Sequence, residues 1–236
     1  MTTPRARVIR AHVVIACALA AGFLLGSCSS DSEDEGLSPT EVLAEAKKTL
    51  DETSGVHVVL ATEKLPAGIS GIVSADGIGT HPPAFEGDLK IATNGITADA
   101  EVVAVDDTVY AKLPFTTEFA EVDPAEYGAP DPADLMAPEG GLSSLLTAVE
   151  SPEEGKPVRE GKTVLTEYSG TVPGDVVAAI IPSAPADTGF AATFTITEDN
   201  VLNQAEITGP FYPGTDDVTY TIDFDQYDTE REIAAP

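Results

Sequence analysis

The chain has no tryptophan, two cysteines and three histidines, and only 12 Lys and Arg against 40 Asp and Glu. Each shortage excludes something. A formal charge of −28 repels nucleic-acid phosphates and anionic lipid headgroups, so polyanions are poor partners. The scarcity of His and Cys removes the usual zinc sets, since neither His57 nor His81 has a second His or Cys close by in sequence. His57 reads as a structural strand residue and His81, before Pro82-Pro83, as a solvated loop residue. There is no Gly-x-Ser-x-Gly elbow, no His-Glu-x-x-His, no phosphate loop and no Asp-x-Asp-x-Asp-Gly calcium loop. Asp106-Asp107 and Asp216-Asp217 are acidic pairs, but neighbouring turn residues point apart. The reading is a protein without metal, cofactor or catalysis. Chemistry that needs only carboxylates, an envelope hydrolase, is the enzymatic alternative.

What is present begins with an export signal. Arg5, Arg7 and Arg10 precede an apolar run from Val13 to Leu25, which is too short to span a bilayer. The run ends in Leu25-Gly26-Ser27-Cys28, the pattern of a bacterial lipoprotein signal, with cleavage expected between Ser27 and Cys28 and a diacylglyceryl group on Cys28. Cys17 falls in the discarded segment, so Cys28 would be the single mature cysteine, and acylation occupies a thiol that has no disulfide partner. Loss of three arginines leaves nine basic against 40 acidic side chains, a mature charge of −31. The expected organisation is a signal peptide over 1–27, an acidic flexible tether over 28–36 and one domain over 37–236. The expected location is the outer face of a plasma membrane, lipid-anchored.

Within the domain, Ser38, Pro39 and Glu41 predict a capped helix with Val42, Ala46 and Leu50 on its inner stripe and Leu37 stapled to Val42. Asn94-Gly95 and Asp106-Asp107 are hairpin turns. Pairing outward from them sets Leu89 opposite Ala100, Ile91 opposite Ala98, Val102 opposite Ala111 and Ala104 opposite Val109. One apolar face results, made of Phe85, Leu89, Ile91, Ile96, Ala98, Ala100, Val102 and Ala104, with Glu101 opposite Lys112 on the polar face. Further strands are read over 56–62, 69–76, 162–169, 190–197 and 218–224. Leu142, Leu145, Leu146 and Val149 predict a second helix; Val176, Val177, Ile180 and Ile181 predict a third, between Pro173 and Pro182. Residues 123–140, with four prolines, read as a long surface loop. The class is α+β, an antiparallel sheet with a few helices over one face.

Ala84–Ile91, Ile96–Val103, Asp106–Leu113 and the loop Tyr127–Pro132, in that order behind a lipobox, an acidic tether and a Ser-Pro-started helix, resemble the LppX/LprA/LprF/LprG lipoproteins of mycobacteria and relatives. The resemblance spans essentially 37–228. It implies a curved half-barrel with helices over its concave side, similar to the carriers LolA and LolB, enclosing an apolar cavity for multi-acylated glycolipid or triacylglycerol. It also implies carriage of that cargo through the cell envelope. On this reading Leu89, Ile91, Val102, Ala104, Val109 and Ala111 face the cavity, and Val176, Val177, Ile180 and Ile181 line its covering helix. Periodicity alone favours instead a core filled by the protein's own side chains, hence a surface scaffold or adhesin. Lys156, Arg159 and Lys162 form the one local basic cluster, either solvated surface or contact for an anionic or polyol headgroup. The expected partners are an acyl-lipid or glycolipid cargo, the plasma membrane through Cys28 and a membrane transporter. The chain itself is expected to be a monomer.

Overall fold

The computed structural model describes residues 36–236 apart from 94 and 128, so the signal segment, Ser27, Cys28, the tether up to residue 35 and Asn94 lie outside the described residues. Helix α1 (Pro39–Glu52) starts as the sequence predicts. The Ser38 amide donates to the Glu41 carboxylate at 2.8 Å and the Glu41 amide donates back to the Ser38 hydroxyl at 3.4 Å. The Ser38 hydroxyl also donates to the Glu41 carboxylate at 2.6 Å, and this bond, followed by the one from the Ser38 amide, holds the Glu41 carboxyl below its ordinary pKa. Val42, Leu43, Ala46 and Leu50 are buried, while Leu37 stays half exposed.

Twelve strands follow in one antiparallel sheet. The first five are β1 (Gly55–Ala61), β2 (Gly71–Thr80), β3 (Ala84–Thr93), β4 (Ile96–Val105) and β5 (Thr108–Lys112). Then come β6 (Ala120–Val122), β7 (Glu150–Glu154), β8 (Val158–Glu160) and β9 (Thr163–Val172). The chain closes with β10 (Phe190–Thr197), β11 (Leu202–Gly209) and β12 (Val218–Asp225). Their spatial order is β6-β5-β4-β3-β2-β1-β12-β11-β10-β9-β7, with β8 beside β9. Pairing of the first and last long strands at the middle, with unpaired ends at β6 and β7, gives an open half-barrel. The meander registers are those predicted: Leu89 faces Ala100, Val102 faces Ala111, and Lys112 reaches Glu101 at 2.8 Å. Asp106 and Asp107 both have positive φ, 52° and 58°, as a type I′ turn requires. Gly77 and Gly87 face one another across β2 and β3 because the Phe85 ring lies over both; a Cβ on Gly77 would sit 2.6 Å from that ring.

Helices α2 (Ser144–Ala148) and α3 (Gly174–Ile180) lie with α1 over the β10–β12 half of the sheet, where Phe190, Phe194 and Phe211 are almost fully buried. The β3–β5 half has a separate core of Phe85, Leu89, Ala100, Val102, Ala104, Val109, Ala111 and Ala133. The unit Leu37–Pro236 is compact and contains both cores, so it is self-contained as a folding unit.

Three expectations are corrected. Helix α2 is a single turn and a half, because Val149 is already extended and Glu150 opens β7. Ile96, placed on the apolar face by alternation, is 68% exposed because it sits at the hairpin end beyond any covering element. The segment 123–140 is not a loop over the surface. Pro132, Ala133 and Met136 are buried, two short 3₁₀ turns (Pro124–Tyr127 and Asp134–Met136) shape it, and it covers the inner face of the meander.

Candidate functional site

Alternation along each strand sends one set of apolar side chains to the inner face, where the helices and the 123–140 segment cover them. Two apolar hollows remain between the layers. One, about 60 Å³, lies under the helices among Leu135, Leu145, Ile180, Ile207, Phe211 and Tyr220. The other, about 40 Å³, lies under the 123–140 segment among Leu89, Ile91, Val102, Val109, Ala111 and Tyr127. A cavity of about 150 Å³ is what a single benzene needs, so neither hollow holds a hydrocarbon tail as it stands. Among the described residues, Phe211, Leu145 and the proline-rich segment pack into the space between sheet and roof and keep both hollows small. A third, larger space of about 1010 Å³ is an open groove on the outer side, lined by Thr62, Glu63, Glu206, Asp216 and Asp217 among others, and it contains none of the predicted residues.

The predicted lining residues divide between the two hollows, strand residues in one and α3 residues in the other. Leu89, Ile91, Val102, Val109 and Ala111 meet in the smaller hollow; Val177, Ile180 and Ile181 meet in the larger. Ala104 is fully buried in the meander core, and Val176 packs partly buried against the helical core, each outside the two linings. Lys156, Arg159 and Lys162 are exposed around the β8–β9 hairpin, where Arg159 Nη1 donates to the Lys162 carbonyl at 3.4 Å, and none of them borders a hollow.

Pro130 lines both hollows and is the partition between them. The segment that carries it is fixed at its far end. Met136 fills the notch left by the missing side chain of Gly79, and Lys47 Nζ on α1 donates to the Pro138 carbonyl at 2.6 Å and to Asp51 at 2.7 Å. Asp131 in its middle accepts a bond from the Ala133 amide at 2.8 Å, and burial pushes its carboxyl above the ordinary range.

The larger hollow has one polar spot: Tyr212 and Tyr220 hydroxyls meet at 2.8 Å, and Tyr220 donates to the Ile72 carbonyl at 3.3 Å. Burial raises both phenol pKa values, so both stay neutral and satisfied. Pro130, Leu135, Phe211 and Tyr212 were not singled out by the sequence. Their signal is apolar and aromatic residues set among prolines and glycines, which a turn-based reading treats as loop.

The site thus sits in a half-barrel sheet whose inner apolar face is roofed by short helices and a proline-rich segment. The family model described as LppX_LprAFG lipoprotein matches residues 38–234, and the chain belongs to that family. It is 30% identical over 217 residues to the lipoarabinomannan carrier protein LprG of Mycobacterium tuberculosis, covering 88% of this chain and 89% of that one; the Mycobacterium bovis LprG matches equally. Among solved structures it is similar to LprF from M. bovis, with TM-score 0.68 and 20% identity over 84% of this chain and 96% of that one. It is also similar to lipoprotein LppX of M. tuberculosis, with TM-score 0.60 and 17% identity over 83% and 98%. Among the described residues no helix is long and apolar enough to cross a membrane.

Proposed function

We propose that this chain is a non-catalytic carrier that binds acylated lipid on the inner face of its sheet and moves it through the cell envelope, held at the plasma membrane by a lipid on Cys28. The observation that carries the reading is the shared wall: two apolar hollows separated by Pro130, on a segment that is not part of the sheet. Displacing that segment joins the hollows into one apolar trough floored by Leu89, Ile91, Val102 and Ile207. The described conformation is then a closed form, and loading exchanges roof side chains for acyl chain. A lipid with about 30 buried CH₂ groups faces on the order of 24 kcal/mol on entering water, so an apolar container is needed to cross an aqueous layer. The cargo proposed is a multi-acylated glycolipid of the lipoarabinomannan type or triacylglycerol, handed onward with a membrane transporter as partner. The name of the LprG relatives supports the lipoarabinomannan-type glycolipid.

The small hollow volumes also favour a second reading, a scaffold lipoprotein whose core is simply filled. Mass spectrometry of an organic extract of the purified protein separates the two: a carrier brings acyl lipid near one equivalent, a scaffold none. Leu89→Trp puts a larger ring into the smaller hollow at an overpacking cost of about 1–3 kcal/mol. Lipid recovery should drop to background while the variant still unfolds cooperatively. Undiminished lipid in that variant places the cargo elsewhere.

A further inference from the structure

Phe115 is the most exposed large apolar residue of the described chain, and its backbone is left-handed, with φ +72°. It sits third in the turn Leu113-Pro114-Phe115-Thr116, closed by the Thr116 amide and hydroxyl, which donate to the Leu113 carbonyl at 3.1 and 2.8 Å. Proline second and positive φ third is the pattern of a type II turn, whose third position normally belongs to glycine. A phenylalanine there is strained by its own Cβ and covers nothing in return, so it adds no stability to the fold.

Three features of the surroundings point the same way. Leu113 lines the smaller hollow yet is 39% exposed, so the turn stands on that hollow's rim. Leu113–Thr117 and Gly95–Ala98 carry no charge in a chain with 40 acidic residues. The chain leaves β5 after the Glu101–Lys112 pair at the end of the sheet where β4 begins with Ile96, which is also exposed. The result is an apolar corner whose tip carries no charge, with Lys112, Glu118 and Asp99 at its margins.

We infer that this corner, led by Phe115, docks the domain onto the surface of an uncharged lipid bilayer and sets the rim of the hollow against it. The aromatic ring enters the headgroup–acyl boundary, and Ile96 and Leu113 follow; the tip itself, Leu113–Thr117, carries no charge that would have to be desolvated there. The docking extends the carrier reading without depending on it, because partitioning to a bilayer is measured on protein that holds no cargo.

The absence of tryptophan supplies the test. Phe115→Trp, made in the self-contained unit 37–236, gives a single-tryptophan protein. Its emission should shift to the blue on adding phosphatidylcholine vesicles and be quenched by lipids brominated near the headgroup. Phe115→Gly relieves the backbone strain, so it should fold at least as stably as the parent while partitioning to the same vesicles about tenfold or more weakly in flotation. An emission maximum that vesicles do not move, or equal flotation of the parent and Phe115→Gly, overturns the docking. A blue shift that tracks protein concentration without vesicles assigns the corner to a second copy of the chain and overturns it as well. Vesicle binding together with lipid-free extracts would keep the docking and discard the carrier; the reverse result would do the opposite.

Discussion

His57, in the middle of β1, holds a carboxylate on each ring nitrogen: Asp225 of β12 at 2.7 Å from Nδ1 and Asp76 of β2 at 2.9 Å from Nε2. Both nitrogens can donate only when the ring is cationic. The bond to Asp76 raises its pKa most, burial opposes, and Asp225 adds to the rise. A pKa raised above the unfolded value of about 6.5 stabilises the fold fully below that pH and loses the effect as pH climbs through the folded value. The carboxylates are largely exposed, so screening keeps the gain to about 1 kcal/mol or less, roughly 2–4 °C in a domain of this size. His57→Gln should therefore melt below the parent at pH 5.5 and together with it at pH 9, with the gap narrowed by salt. Thermal denaturation across that range decides it, and a gap that widens with pH contradicts the assignment.

The covering segment 123–140 has its own titration. Burial is the main reason the Asp131 carboxyl titrates high, and the bond from the Ala133 amide only partly offsets it. An acid whose folded pKa is raised weakens the packing of its segment once ionised and is relieved as pH falls through that pKa. Asp131→Asn keeps the acceptor oxygen and removes the charge. Amide exchange over 123–140 at pH 7.5 should slow in Asp131→Asn relative to the parent, and the two should converge under acid conditions. Faster exchange in the variant would mean that the charge helps hold the segment down. This element is also where the sequence is least legible. The meander was readable to the residue because two turns with fixed geometry imposed one register on an alternating pattern, and α1 because its cap is written in Ser38, Pro39 and Glu41. The 123–140 segment has neither period nor turn signature; its burial comes from prolines and single apolar residues meeting a sheet contributed by distant parts of the chain. β11 was missed because the register shifts between Thr195 and Ile196, setting Leu202 and Ala205 on one face three residues apart. β7 and β8 were missed as edge strands rich in charge, with Pro152 tolerated only because β7 ends the sheet. The hollows follow the same rule: the meander wall was foreseen, and its roof was not.

At the scale of the whole molecule, charge decides between two opposed effects of salt. Screening weakens Lys90–Asp99, Lys112–Glu101 and Arg231–Glu86, all exposed or partly exposed pairs worth up to about 1 kcal/mol each. Screening also relieves repulsion among 40 acidic groups that only 12 basic ones offset. The Debye length falls from about 30 Å at 0.01 M to about 10 Å at 0.1 M, so at low salt carboxylates repel across most of the sheet and at higher salt only near neighbours do. With a net charge of −28 the relief is the larger effect. The thermal midpoint should therefore rise between 10 and about 500 mM NaCl at pH 7.5, and more steeply than it does at pH 5, where part of the carboxylate charge is gone. A midpoint that falls with salt would make the few ion pairs, not the acidic surface, the dominant electrostatic contribution to this fold.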